Sequence, residues 1–507
     1  MVYFLPPSVL VILDGFGYSK NKSANAIAQA KTPYLDYFLS SYPHTLLQAS
    51  GNAVGLQEGA IGNSEVGHLT IGTGRIIEQD ATVIDRSIKN GEFFSHPILK
   101  KHLEKLALTK GRLHVIGLLS DGGVHSQQSH LYAYLKAAQN AGIEKTYVHA
   151  ILDGRDVAPQ SARHYLHNLQ EHMHDTKYGI LGSLQGRFYA MDRDNNWERT
   201  AASYHGLTEK QEKHFDSWQK AVDFYYADSI FDEFIPPTQL INDSLIANGD
   251  AVIFINYRSD RARQLAQAFV MPNFDIFEHK KVALSFFMTP VAYDDDRLKT
   301  TVLFEKRPVK NTLMDVLAAH HKSMFAIAET EKYAHVTYFF NAGNEKAHTN
   351  ETRILIPSIT AKNYISLPKM SADTITQTVI HSLEHDPKDF YLINYANADM
   401  VGHSGNLAAT IKAVECLDKQ LGVLYEQVVK KMNGTLYITA DHGNAEEMFD
   451  EETQQNKTSH TNNPVIFCMV QQDLEHAPLP CKMQGLSAIA PCILNNMQLP
   501  IPQEMQK

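Results

Sequence analysis

The sequence predicts an α/β fold, with one domain assembled from both chain ends and a second inserted between them. Three observations carry that expectation. Short apolar runs without alternation repeatedly end in polar clusters rich in Gly, Asp, His or Arg, the pattern of strands buried on both faces in a parallel sheet. Helical stretches lie between these runs. The clusters also differ in kind: those before about residue 80 and after about residue 310 are rich in Asp, His and Ser, and those between are rich in Arg.

In chain order, Val9–Leu13 leads into Asp14-Gly15-Phe16-Gly17, Leu113–Leu119 into Ser120 to His125, and Tyr147–Leu152 into Asp153-Gly154-Arg155-Asp156. Ala251–Ile255 precedes Asn256 to Arg261, Phe390–Ile393 precedes Asn394 to His403, and Leu436–Thr439 precedes Asp441-His442-Gly443-Asn444. The clearest helix spans Asn406 to Met432. Ile411, Val414, Leu417, Leu421, Leu424 and Val428 recur there at three- and four-residue steps, and Gly434 closes it. In such folds ligands gather beyond the carboxyl ends of the strands, where these polar clusters fall. Nucleotide motifs are a poor fit: Lys20 stands where a dinucleotide fingerprint needs its third glycine, and the chain has no Gly-Lys dipeptide for a phosphate loop.

The 507 residues are 44% hydrophobic and 20% charged, with 28 Gly and 20 Pro, which excludes disordered, collagenous and coiled-coil classes. A net charge of −10 argues against a protein that grips nucleic acid with its whole surface. Cys416, Cys468, Cys481 and Cys492 form no C-x-x-C pair, so neither a disulfide scaffold nor a thiolate zinc site is expected, and a reducing compartment is. Val9–Leu13 lacks the basic flank and cleavage site of a signal peptide, and no stretch approaches the ~20 apolar residues of a membrane helix. A soluble, cytoplasmic protein is expected.

Taken singly, Asp14, Asp441 and His442 read as turn residues, and His460 as a surface histidine. Asp399 and His403 are four apart, which brings them to one face if that segment makes a single turn. Together these three Asp and three His suffice for two divalent ions with oxygen and nitrogen ligands. Without thiolates Mn2+ is favoured, with Mg2+, Co2+ and Zn2+ as competitors. Ser64, in Gly62-Asn63-Ser64-Glu65-Val66-Gly67-His68, is either a helix N-cap or a nucleophile at a helix start, where backbone N–H groups favour an anion. No hydrolase elbow surrounds it, so its activation would fall to metal.

Arg155, Arg187, Arg193, Arg258 and Arg261 follow strand-like runs of the middle segment, with His125 and Asp156 nearby. One such arginine reads as a surface ion pair. Five at strand ends point to a polyanionic small molecule, with Lys332 as a further phosphate contact.

Ten ordered motifs resemble the cofactor-independent phosphoglycerate mutases of the alkaline phosphatase superfamily. They are DGFG (Asp14–Gly17), GNSEVGH (Gly62–His68), SDGGVHS (Ser120–Ser126), LDGRD (Leu152–Asp156), GRFYAMDRD (Gly186–Asp194), NYRSDRAR (Asn256–Arg263), TEKYAHVT (Thr330–Thr337), NADMVGHSG (Asn397–Gly405), TADHGNAE (Thr439–Glu446) and SHTNNPV (Ser459–Val465). The resemblance implies an alkaline-phosphatase-like metal domain of residues 1–77 and 311–507. Residues 78–310 would form an inserted α/β phosphotransferase domain, with hinges near Arg75–Asp80 and Glu305–Asn311. It implies that Asp14, Ser64, Asp441 and His442 hold one Mn2+ and that Asp399, His403 and His460 hold the other. Ser64, Asp156 and Lys332 would be catalytic, Ser64 as the phosphorylated nucleophile and Asp156 as general base. His125, Arg155, Asp156, Arg187, Arg193, Arg258, Arg261 and Lys332 would bind phosphoglycerate. The chain departs from the family's usual pattern at Pro357–Tyr364, at Gln127 for a common His and at Ala342 for a common Gly.

The implied activity is interconversion of 3- and 2-phosphoglycerate in glycolysis and gluconeogenesis, by a cytoplasmic monomer. It needs no 2,3-bisphosphoglycerate and no nucleic-acid or membrane partner. Two rivals share the metal residues: a related metallo-hydrolase or phosphopentomutase, and a non-catalytic metal-binding protein.

Overall fold

The computed structural model describes residues 6–293, 298–305, 308–359 and 364–506. Part of the Glu305–Asn311 crossing and the centre of the divergent Pro357–Tyr364 segment lie outside the described residues. The chain forms two compact units, one of Met1–Gln79 with Pro308–Lys507 and one of Asp80–Arg307. Each holds a seven-stranded sheet, so the predicted α/β class is what forms. Among the described residues no helix is long and apolar enough to cross a membrane.

In the two-segment unit the strand order is Glu351–Ile356, Met324–Glu329, Phe390–Tyr395, Ser8–Leu13, Thr435–Thr439, Val465–Val470, His44–Leu47. The first five are parallel, and the last two join antiparallel at one edge. Ser8–Leu13 lies between two parallel neighbours and is buried at every position, which is why its sequence runs apolar without alternation. Four consecutive central strands end on one side, and the chain leaves them at Asp14, Thr330, Ala396 and Ala440.

The inserted unit orders its strands Thr238–Gln239, Ile180–Gly186, Thr146–Leu152, Leu113–Leu119, Ala251–Phe254, Phe286–Thr289, Thr301–Val302, parallel except for the first pair. A hydrogen-bonded row of buried polar groups crosses it. Ser183 Oγ lies 2.7 Å from His149 Nδ1, His149 Nε2 2.9 Å from His114 Nδ1, and His114 Nε2 3.2 Å from Asp250 Oδ2. Burial, against the pull of Asp250, lowers His114, while burial and then His114 hold His149 well below the usual imidazole range.

Three local expectations change. The long helix starts as expected, with Asn406 accepting from Ala409 N, but its α-helical part stops at Leu424 and a π-type turn carries Tyr425–Lys431. Asn433, not Gly434, takes the left-handed conformation that ends it (φ 52°). Gly434 is needed for space instead: a Cβ there would stand 2.5 Å from the carbonyl oxygen of Pro7. Finally, Cys481 and Cys492 are joined by a disulfide, with Cα atoms 5.6 Å apart. Their separation of eleven residues resembles no local motif, and helix Ile489–Asn496 turns Cys492 toward the loop that carries Cys481.

Candidate active site

In the two-segment unit the strand ends bring Asp14, Lys332, Asp399, Asp441 and His442 into one buried cluster with Ser64. Helix Ser64–Thr73 is capped by Asn63, whose side chain accepts from Val66 N at 3.1 Å. The cap is therefore the residue before Ser64, and the Ser64 hydroxyl is left for the site. It donates to Asp14 Oδ1 at 3.1 Å, lies 2.9 Å from His442 Nε2 and accepts from Lys332 Nζ at 2.7 Å. Two close approaches require glycine. A Cβ on Gly15, itself at φ +72°, would meet Asp399 Cα at 2.7 Å, and one on Gly67 would meet the Asp441 carbonyl oxygen at 2.5 Å.

Lys332 Nζ also donates to Asp14 Oδ1 at 2.6 Å and to Asp399 Oδ2 at 2.7 Å. Burial works to raise both carboxyls, yet the ammonium, with help from neighbouring histidines, holds each well below the usual carboxylate range. Burial opposes the charge on Lys332 too, and Asp14 and Asp399 more than offset it. His442 is raised to about 10: burial works against its charge, but Asp441 and Asp14 outweigh it.

The three histidines share one arrangement. Nδ1 of His403 faces the Thr458 carbonyl oxygen at 2.7 Å, that of His460 faces Gly62 O at 2.9 Å, and that of His442 faces Gly443 O at 3.2 Å. With the proton on Nδ1, each backbone oxygen can accept it, which leaves Nε2 as the nitrogen available to a cation. Ligand atoms of Asp14, Asp441 and His442 lie within 4.8 Å of one another, as do those of Asp399, His442 and His460. His403 Nε2 joins the second group, 3.1 Å from both Asp399 Oδ1 and His460 Nε2. His442 thus reaches both groups, where the resemblance implied only the first. Buried Asp441 Oδ2 has no hydrogen-bond partner. The donor set, three carboxylates and three imidazoles without thiolate, fits two hard-to-borderline cations.

The inserted unit carries a second cluster. Arg187 is buried, and its Nη1 bridges Asp153 Oδ1 (2.6 Å) and Asp156 Oδ2 (2.5 Å). Asp153 also accepts from Ser120 Oγ and from the backbone N–H groups of Arg155 and Asp156, which fixes the turn after the strand. Asp260 gathers Arg193 (3.0 Å) and Arg258 (3.1 Å), and lies 3.8 Å from His125 Nδ1. Burial, then Arg187, lowers His125 to about 4. Arg155, Arg187, Arg193 and Arg261 line a cavity of about 380 Å³ with Phe188 and Glu233. Arg261 is lowered by burial and then by Arg193, Arg155 and Arg187, a crowding of like charge that an anion would relieve. Arg258 is near this cavity through Asp260 but does not line it.

Sequence reasoning missed Asp153, Asp260 and Arg199. Arg199 lines the same cavity, its guanidinium 3.9 Å above the Phe188 ring and 3.2 Å from Asp192. Its place in the first turn of helix Trp197–Thr208, five residues after GRFYAMDRD, was the available signal. Asp153 and Asp260 were visible inside quoted motifs as the carboxylates nearest the arginines.

Comparisons with known proteins agree with one another. Residues 84–295 match the family model described as the BPG-independent PGAM N-terminus. The chain is 47% identical over 466 residues to the 2,3-bisphosphoglycerate-independent phosphoglycerate mutase of Legionella pneumophila strain Philadelphia 1, covering 92% of this chain and 90% of that one. It is 45% identical over 505 residues to the enzyme of that name from Clostridioides difficile strain 630, covering 98% of each. Among solved structures, Leishmania mexicana phosphoglycerate mutase at low cobalt concentration matches with a TM-score of 0.69 and 28% identity, covering 99% of this chain and 97% of that one.

Proposed function

The chain belongs to the 2,3-bisphosphoglycerate-independent phosphoglycerate mutase family, and on that premise we propose that it interconverts 3-phosphoglycerate and 2-phosphoglycerate through a phosphoserine at Ser64. The observation that carries this reading is the setting of the Ser64 hydroxyl. It stands at a helix start, within 3.1 Å of Asp14, His442 and Lys332, where an arriving phosphoryl group meets N–H groups and an ammonium.

Asp14, Ser64, Asp441 and His442 would hold one divalent ion and Asp399, His403 and His460 the other, with His442 in reach of both. Bound there, Mn2+ supplies Lewis acidity that lowers the hydroxyl pKa and offsets phosphoryl charge. Ser64 Oγ gives up its proton to solvent and attacks phosphorus as the bond to the glycerate oxygen breaks, regaining a proton when the phosphoryl group returns, and Lys332 neutralises the phosphoryl oxygens. Asp156 gives a proton to the departing glycerate oxygen and takes one from the other hydroxyl when that hydroxyl recovers the phosphoryl group. Arg187, held by Asp153 and Asp156, is the rigid carboxylate contact; Arg155, Arg193, Arg258, Arg261 and His125 retain the glycerate so that water does not intercept the phosphoserine. The reaction belongs to cytoplasmic glycolysis and gluconeogenesis.

The test is a coupled assay for 2-phosphoglycerate formation without 2,3-bisphosphoglycerate, on chelator-treated protein with and without Mn2+. Turnover restored by Mn2+ supports the reading. Phosphate release without 2-phosphoglycerate would favour a hydrolase.

A further inference from the structure

Glu446 is a carboxylate 1% exposed to solvent, with four neutral donors around it. Oε2 accepts from Gly17 N at 3.1 Å and Asn444 N at 2.8 Å. Oε1 accepts from Asn463 Nδ2 at 3.0 Å and from the Thr461 hydroxyl. These donors come from three segments, one of them more than 400 positions from Glu446 and two close to it in the chain, and each segment carries residues of the metal-type cluster. Gly17 lies three positions after Asp14, Asn444 two after His442, and Thr461 next to His460. Asn444 then extends the connection, donating from Nδ2 to Asp399 Oδ1 at 3.0 Å.

The surroundings are shaped to this side chain. A Cβ on Gly17 would stand 2.3 Å from Glu446 Cδ, and one on Gly443 would stand 2.5 Å from Oε1. Gly443 and Thr461 also pair through their backbones, as do Gly17 and Val465, so the three segments meet around the carboxylate. All of its described acceptor capacity is used within this knot, which makes it a poor ligand and a good brace.

We propose that Glu446 is a positioning residue that fixes the Asp14, Asp441-His442 and His460 segments in ligating geometry. The inference rests on the two-cation reading given above. It also predicts an order among substitutions. In Glu446→Gln the amide oxygen can still accept from the Gly17 and Asn444 N–H groups. Its NH2 then faces the Thr461 hydroxyl, which can turn to accept, and the Asn463 Nδ2, which Glu447 Oε2 holds as a donor at 3.0 Å. In Glu446→Ala the Gly17 and Asn444 N–H groups and the Thr461 hydroxyl lose this acceptor, and Asn463 keeps only Glu447.

The experiment is calorimetric titration of Mn2+ into chelator-stripped wild type, Glu446→Gln and Glu446→Ala, with thermal melts of the metal-free proteins. Wild type is expected to bind two ions per chain, Glu446→Ala to bind about 10–100-fold more weakly, the range for lost outer-shell partners, and Glu446→Gln to fall between. Wild-type affinity in either variant overturns the inference, as do equal losses in both, which would make charge rather than acceptor geometry the operative feature. If Glu446→Ala does not fold, Glu446→Gln decides alone, with weakened binding expected and unchanged binding overturning. A wild type that does not bind two ions overturns the two-cation reading itself, whatever the variants do.

Discussion

The ammonium of Lys332 lies 2.6 Å from Oδ1 of Asp14, a residue 318 positions earlier in the chain. Asp399 is paired with the same nitrogen, so one buried lysine serves two buried carboxylates. In Lys332→Met the metal-free protein keeps those charges without their partner. Breaking a buried pair on one side costs about 3–5 kcal/mol. The metal-free variant should melt well below wild type, and saturating Mn2+ should recover most of the difference. Equal melting of the two metal-free proteins would count against the pairing.

Ser64→Ala should remove mutase turnover by at least about 10⁴-fold, as loss of a covalent nucleophile does elsewhere. Mn2+ binding should persist, since Asp14, Asp441 and His442 remain within 4.8 Å of one another. Mass spectrometry of quenched enzyme should find the phosphorylated peptide in wild type and not in the variant. A variant that keeps its turnover would end the phosphoserine mechanism.

Arg187→Lys should be far from conservative. One guanidinium nitrogen bridges Asp153 and Asp156, and a lysine ammonium lacks the planar fork to do this while still meeting a ligand carboxylate. A KM increase of about 100-fold is expected, equivalent to about 3 kcal/mol. Arg193→Ala, whose side chain is 46% exposed and paired with Asp260, should cost less. Steady-state kinetics on both variants would reverse this ranking if the bridge were unimportant.

Acid should weaken the inserted unit before it weakens most small domains. His114, His125 and His149 all titrate below the unfolded value near 6.5, His125 at about 4. The unfolded chain therefore takes up protons first as pH falls. Their contribution is fully present above about 6.5 and is lost on the way down to 4; His125 alone accounts for about 3 kcal/mol. Urea midpoints measured from pH 7 to pH 4.5 should fall steadily, and less so in His125→Asn. A flat profile would contradict the burial of these rings.

Much of the fold was legible because parallel strands sealed on both faces must be apolar at every position. Leu113–Leu119 forms as expected, and the other runs differ by one or two residues at their ends, where strand partners rather than side chains set the boundary. Asn406 was readable as a helix start because its short side chain caps locally. The reach of His442 into both ligand groups and the Cys481–Cys492 bond were not. Each depends on which distant segment arrives beside the residue. Ala342 shows the opposite case: its left-handed conformation (φ 54°) gives a physical reason for the glycine usual at that place.

Ser8–Leu13 leaves the ribosome well before Phe390–Tyr395 and Thr435–Thr439, the two strands it sits between. At roughly 5–20 residues per second, those neighbours arrive about 20–90 s later. The intervening sheet of Asp80–Arg307 draws all its strands from its own stretch of chain and can close meanwhile. A strand made before the inserted unit is thus seated only after that unit can close, and His44–Leu47 waits longer still, for Val465–Val470; a newborn chain carries sticky apolar segments for much of its synthesis, the stage at which a chaperone has most to protect.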